Sequence, residues 1–259
     1  MKKIGILCIF LNFFNFVTAQ YKVEYDYVIT NQLPGNVSIV RANSFLITDG
    51  ISSRFVKNRV FNGMVDVKFE NSLADLQDSS NKGNKYAKGD SIGYVVAKNF
   101  SKDSIYMRLL NDKSDYVQIP RKMVKFQYNI VEGYKTVCNY KCQKALVEFE
   151  NRLFEIWFTT DIPISDGPWL FQGLPGLILE VKSTDNRHLY VAKSINKTKP
   201  LDKSTTAFPF KKTIDLDTYQ KRYLEIEENK FKFNKAQGDP NVKFTVTINN
   251  LDIPYTVFE

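Results

Sequence analysis

Residues 133–158 read GYKTVCNYKCQKALVEFENRLFEIWF, and three β-strands can be marked off within them. Tyr134–Cys138, Ala145–Phe149 and Leu153–Phe158 are short and rich in aromatic and β-branched residues. Along the chain such residues dominate, often in the period-two alternation of a half-buried strand. Glu150-Asn151-Arg152 leaves room only for a tight reversal, so the last two strands pair as antiparallel neighbours. Strands that follow strands through short turns favour an antiparallel sheet over βαβ units.

The pattern extends in both directions. Tyr21, Val23, Tyr25 and Tyr27 share one face of a first strand. Phe45–Ile47 and Arg54–Phe61 flank an Asp49-Gly50 turn, and Asp66–Phe69 is a further short strand. Ser79–Gly89, polar and rich in Asn, Lys and Gly, reads as a loop. Strands resume at Ile92–Ala97, Ile105–Leu110, Tyr116–Ile119 and Val124–Ile130. Leu177–Lys182 and Leu189–Ser194 form a hairpin around Thr184-Asp185-Asn186, and Val242–Ile248 is a last strand. Leu216, Tyr219, Tyr223 and Ile226 recur at spacings of three and four and line one helical face. Asp217 with Gln220 resembles a capping box at its start, and a Gly238-Asp239-Pro240 turn lies beyond its end. The expected fold is mainly β: a curved antiparallel sheet or open barrel-like domain with one C-terminal α-helix, a β-sandwich being the alternative. With no linker or repeat, residues 20–259 are expected to be one domain.

Residues 1–19 read as a cleavable export signal. Lys2 and Lys3 precede an apolar run from Ile4 to Val17, and Val17-Thr18-Ala19 offers the small residues a signal peptidase reads, leaving Gln20 first. The run is shorter than the roughly 20 residues that span a bilayer, and no later stretch is long and apolar enough to do so. After cleavage, 34 basic residues face 28 acidic ones, a net charge of +6. These charges are scattered rather than blocked, which suits a solvated basic surface and gives no reason to expect nucleic acid.

Export permits disulfides, and Cys138 and Cys142 are the two cysteines left after cleavage. In a straight strand their Cα atoms would stand about 13 Å apart, beyond the ~7 Å reach of a bridge. A disulfide therefore needs a turn at Asn139-Tyr140-Lys141, and free thiols are the preferred alternative. With one histidine in the chain, a Cys/His metal site is not expected. No cofactor is expected.

The segment from Trp157 to Glu180 contains Trp157-Phe158-Thr159, Ile162-Pro163, Gly167-Pro168-Trp169 and Gly173-Leu174-Pro175-Gly176-Leu177-Ile178. Upstream stand Gly133-Tyr134 and Cys142-Gln143-Lys144-Ala145. Together these resemble the GLPGLI family of bacterial envelope proteins, over about residues 133–195. The resemblance implies an exported protein without an established activity. Genes of that family often lie near those of TonB-dependent receptors, which makes such a receptor an expected partner by association. The residues carry a physical reading as well. Pro163, Pro168 and Pro175 fix φ near −65° and remove donors, while Gly167, Gly173 and Gly176 permit positive φ or close approach. The result is a stiff excursion between two strands, with Trp157, Trp169 and Phe171 large enough to clamp it. It is either a packing corner or the rim of a binding site, in which Trp157, Asp161, Pro163, Gly167, Pro168, Trp169, Phe171, Gly173, Leu174, Pro175, Gly176 and Glu180 are the candidate contacts.

Catalytic patterns are sparse. Any histidine-based arrangement must use His188, at the entry to a strand where a solvent-facing or strand-end histidine is ordinary, and no Gly-x-Ser-x-Gly elbow occurs. Asp161, Asp166 and Glu180 flank the motif, and two carboxylates ~5–9 Å apart could hydrolyse a glycoside. Two triplets, Asp90-Ser91-Ile92 and Asp103-Ser104-Ile105, are similar to the Asp-Ser/Thr-apolar acceptors of some envelope O-glycosylation systems. The expected function is that of an exported, non-enzymatic envelope protein that binds a ligand or partner or is accessory to outer-membrane uptake or assembly. An extracytoplasmic, glycosidase-like hydrolase is the alternative.

Overall fold

A computed structural model describes residues 20–33, 36–57, 60–61, 64–65, 67–70, 90–112, 115–198, 208–237, 244–247 and 255–258. The strands are β1 (Gln20–Leu33), β2 (Asn36–Thr48), β3 (Ser52–Lys57), β4 (Val60–Phe61), β5 (Met64–Val65), β6 (Val67–Glu70), β7 (Tyr94–Asn99), β8 (Ser104–Asp112), β9 (Asp115–Lys122), β10 (Asn129–Val137), β11 (Tyr140–Phe149), β12 (Arg152–Thr159), β13 (Leu177–Ser183), β14 (His188–Thr198) and β15 (Lys212–Thr213). The helix α1 (Leu216–Gln237) and the strands β16 (Phe244–Thr247) and β17 (Tyr255–Phe258) follow.

The protein is mainly β, built on one open, curved sheet with order β10-β11-β12-β13-β14-β1-β2-β3-β7-β8-β9-β15. β6 pairs with β2 beside this path. The β10–β11 and β11–β12 hairpins turn through Cys138-Asn139 and Glu150-Asn151, all four with positive φ, the two-residue geometry whose twist matches the flanking strands. The turn that follows β10 thus falls before the Asn139-Tyr140-Lys141 turn that a Cys138–Cys142 bridge would require. Lys135 pairs with Cys142 in the ladder, and both cysteines are free thiols.

Alternation places Val23, Tyr25 and Tyr27 of β1, Phe55 of β3, Val96 of β7, Ile156 of β12 and Tyr190 of β14 in a single buried cluster. β7 is buried on its other face too, where Val95 and Ala97 join Val56 and Phe208 in a second cluster. β13 and β14 share only Glu180–Lys182 with Val191–Leu189. Nearby, the Tyr25 hydroxyl of β1 donates to the Ile178 carbonyl at 2.7 Å.

Several expectations shift in detail. Residues 123–128 are not strand, so Val124–Ile130 contributes only its last two residues, to β10. Of the Arg54–Phe61 run, residues 54–57 belong to β3 and 60–61 to β4, and 58–59 lie outside the described residues. The helix is capped by Asp215 rather than Asp217: its carboxylate accepts from the Thr218 amide at 2.7 Å and the Thr218 hydroxyl at 2.6 Å, leaving Asp217 exposed in the first turn. Tyr219 is buried and donates to the Leu110 carbonyl, which docks α1 on β8. The Ser79–Gly89 loop and the Gly238-Asp239-Pro240 turn lie outside the described residues.

Candidate functional site

The excursion between β12 and β13, residues 160–176, folds back over the inner face of the sheet. Ile162, Trp169, Leu170, Phe171 and Leu174 are buried there. Phe171 stacks on Phe126 at 5.4 Å and meets Phe154 of β12 edge-on at 5.2 Å. Trp169 meets Phe55 of β3 edge-on at 6.1 Å, and the Lys57 ammonium lies 4.0 Å from its ring. Trp169 has φ +54, a left-handed backbone costing on the order of 1–2 kcal/mol for a residue with a Cβ. The packing around the indole holds it in that conformation.

Two glycines explain why the segment can lie so close. A Cβ on Gly176 would stand 2.0 Å from the Thr159 carbonyl oxygen, and one on Gly167 would stand 2.7 Å from the Ile178 Cβ. At Gly176 the need is thus close approach and not positive φ; Gly173, with φ +104, is the motif glycine that uses left-handed freedom.

The clamp on this excursion comes from a distant strand. Lys98 of β7 donates from Nζ to Asp166 Oδ1 at 2.7 Å, to the Gly167 carbonyl at 2.8 Å and to the Phe171 carbonyl at 3.1 Å. Both side chains of the ion pair are 0% exposed. Three acceptors satisfy the three ammonium donors. Burial pushes the Lys98 pKa down, and Asp166 opposes that shift. Burial, with Asp166 second, pushes the Tyr25 hydroxyl well above its ordinary range. Lys98 was not legible as a partner of the motif. Its one signal was a lysine ending the apolar run Tyr94–Ala97, and because β7 is buried on both faces that run does not show which side Lys98 takes.

The opposite face of β10–β13 has different chemistry. Trp157 pairs in register with Lys144 and Glu180, and its indole Nε1 donates to Glu155 at 2.8 Å. Lys135 bridges to Glu180 at 2.6 Å and lies 4.4 Å from the Trp157 ring, and Lys144 bridges to Glu155. Burial works to raise the Glu155 pKa, but the hydrogen bonds from Lys144 and Trp157 outweigh it and leave the carboxyl below its ordinary value. Gly133, with φ +145, brings its backbone near the rim of the Trp157 ring.

The candidate residues therefore fall into three groups. Gly167, Pro168, Trp169, Phe171, Leu174 and Gly176 are buried in the excursion; Asp161, Pro163, Gly173 and Pro175 are exposed on its outside. Trp157 and Glu180 lie on the far side of the sheet. Trp169 and Phe171 form no exposed aromatic rim, because their rings fill the inner face. His188 is buried rather than solvent-facing, and its amide donates to the Ser183 hydroxyl. Among the described residues no cluster of three His, Cys, Asp or Glu is placed to hold a metal, and no helix is long and apolar enough to cross a membrane.

A family model described as "N-glycanase peptide, N-terminal domain" matches residues 74–221, more than half of the chain. The chain belongs to this family. Members of the N-glycanase N-terminal domain family are thus the reference for the β7–β14 region that carries Lys98 and the excursion. Two solved structures of PNGF-II, in P21 and C2 crystal forms, are 15% identical with TM-scores of 0.47 and 0.48. They cover 90% and 91% of this chain, which in turn spans 35% and 36% of theirs, about a third of their length. A conserved protein from Thermus thermophilus is 9% identical with a TM-score of 0.37, over 77% of this chain and 91% of that one. Comparison with curated protein sequences finds no match.

Proposed function

We propose that this chain is an exported, non-catalytic module of an N-glycanase-like system, which binds a glycan-bearing ligand or a protein partner and leaves bond cleavage to another component. The observation that carries this reading is the separation of the motif's carboxylates. Asp166 is sealed in an ion pair with Lys98 at 0% exposure. Glu180 is held by Lys135 on the other face of the sheet, and Asp161 is in an exposed turn. A general acid and base must face one substrate bond, and these three do not share a surface. The family description, an N-terminal domain of an N-glycanase, supports a glycan-related role for the module. An envelope location and a receptor partner, suggested by the GLPGLI resemblance, are part of the same proposal.

The test is to incubate the purified chain from Gln20 onward with a denatured N-glycosylated protein, and to measure glycan release by gel shift and binding by calorimetry. Binding without release is expected. Release that disappears in Asp161→Asn or Glu180→Gln would establish the hydrolase reading instead. Fractionation with N-terminal sequencing checks export, with Gln20 expected as the first residue, and a pull-down from envelope extracts checks for the receptor.

A further inference from the structure

The two Asp-Ser-Ile triplets are identical in sequence and differ in setting. Ser91 is exposed, in the turn that precedes β7. That turn is fixed from below: Asp90 Oδ1 accepts from the Ile92 amide at 3.1 Å and the Gly93 amide at 2.9 Å. The Asp90 carboxylate is gripped by both terminal nitrogens of Arg108, at 3.1 and 2.5 Å. Arg108 is itself only 2% exposed and also donates to the Gly93 and Pro209 carbonyls at 2.7 Å each. The serine thus stands on a short turn whose base is anchored to the sheet. In the second triplet, Ser104 is the first residue of β8, laddered between Asn99 of β7 and Lys122 of β9. Its neighbour Ile105 is fully buried. In the first triplet Ser91 is exposed and its neighbours Asp90 and Ile92, the latter packed on the second core cluster, stay partly exposed; reaching Ile105 of the second requires peeling β8 from its partners.

We propose that Ser91 is the acceptor of an O-linked glycan and that Ser104 is not. In the transfer, the Ser91 Oγ would bond to the anomeric carbon of an activated sugar phosphate ester, nucleotide- or lipid-linked, supplied with the transferase. The anomeric carbon–phosphate oxygen bond breaks, the phosphate leaves with its electron pair, and the hydroxyl proton passes to a base of the transferase. The experiment is intact-mass measurement, with peptide mapping, of the full chain purified from the envelope of the producing cell. The wild type should carry added mass in whole sugar residues on the peptide containing Ser91. That mass should vanish in Ser91→Ala, remain in Ser91→Thr and remain in Ser104→Ala. A wild-type mass equal to that of the unmodified mature chain, or added mass that survives Ser91→Ala or is lost in Ser104→Ala, would overturn it.

Discussion

Two lysine–carboxylate pairs of nearly equal length sit on opposite faces of the same sheet. Lys98–Asp166 closes at 2.7 Å with both side chains wholly buried. Lys135–Glu180 closes at 2.6 Å with the lysine 33% and the glutamate 13% exposed. Distance does not separate them; surroundings do. Inside, the ammonium has no water to return to, and its other two donors are committed to carbonyls of the excursion. Outside, each charge keeps part of its hydration, and the Lys135 ammonium has a second partner, the ring of Trp157. The first pair determines where residues 160–176 lie, and the second decorates a surface already built by strand pairing.

The sharpest way to break this contrast is to remove one member of the inner pair. Lys98→Met leaves the Asp166 carboxylate buried without its counter-charge and should cost about 3–5 kcal/mol. Chemical denaturation should show it as a lower midpoint at unchanged slope. Lys98→Met with Asp166→Leu should recover part of that loss. The recovery is incomplete because the Gly167 and Phe171 carbonyls still lack their donor. If the double variant is no better than the single one, charge is not what Lys98 contributes.

Gly176→Ala probes the same clamp without touching a charge. The new methyl would meet the Thr159 carbonyl oxygen at 2.0 Å and its carbon at 2.7 Å, backbone atoms that cannot swing away. The expected loss is about 3 kcal/mol, the upper part of the overpacking range. Gly173→Ala is the control. It has room, with Tyr128 at 3.7 Å, but adopts φ +104, so its loss comes from backbone strain alone. Thermal midpoints should fall further for Gly176→Ala; the reverse order would mean that the excursion is governed by torsion and not by contact.

How much of this was legible follows from which facts are local. Alternation is local, so Tyr134, Val147, Phe154 and their neighbours announced strands, and Glu150-Asn151 and Thr184-Asp185-Asn186 announced the reversals between them. Pairing over long separations is not local. Nothing in Gln20–Leu33 says that β1 will lie between β14 and β2, a placement decided by which apolar faces are left to cover. The motif's prolines and glycines marked residues 160–176 as stiff, but not the direction in which they fold. That direction depends on Lys98, 68 residues before Asp166. Asp217 with Gln220 and Asp215 with Thr218 have the same three-residue spacing, so spacing does not choose between them; the hydrogen bonds to Thr218 decide for Asp215.

Cys142 tests whether the outer face is as open as its charges suggest. The residue lies opposite Lys135 in the ladder and is 0% exposed, and burial raises its thiol pKa from 9.0 to about 11. Unfolded, the thiol ionises from about pH 9; folded, it stays protonated until about pH 11. Its stabilising contribution is therefore complete below pH 9 and is lost as pH rises through that window. Burial also raises the pKa of Cys138 and of Tyr25 and Tyr94, so the measurement is the difference between wild type and Cys142→Ala. The wild type should lose more stability between pH 9 and 11, and native alkylation at pH 8 should label Cys138 before Cys142. Equal labelling would mean that the strands part readily around Cys142.

The smallest expected effect is on the outer pair itself. Lys135→Ala removes a partly exposed ion pair, for which about 0.2–1 kcal/mol is usual, together with a cation–π contact worth ~0.5–1 kcal/mol at exposed sites. The two contributions overlap, because one ammonium serves both partners, so about 1 kcal/mol is expected. A double-mutant cycle with Glu180→Gln isolates the ionic part, and raising the salt to 1 M should shrink it, since charges near solvent are screened within about 3 Å there. The cycle for Lys98 and Asp166 should hardly respond to salt. If the outer coupling matches the inner one in size and in salt insensitivity, exposure is not what distinguishes the two faces. The surface around Trp157 would then be as much a part of the protein's foundation as the dry clamp beneath the excursion.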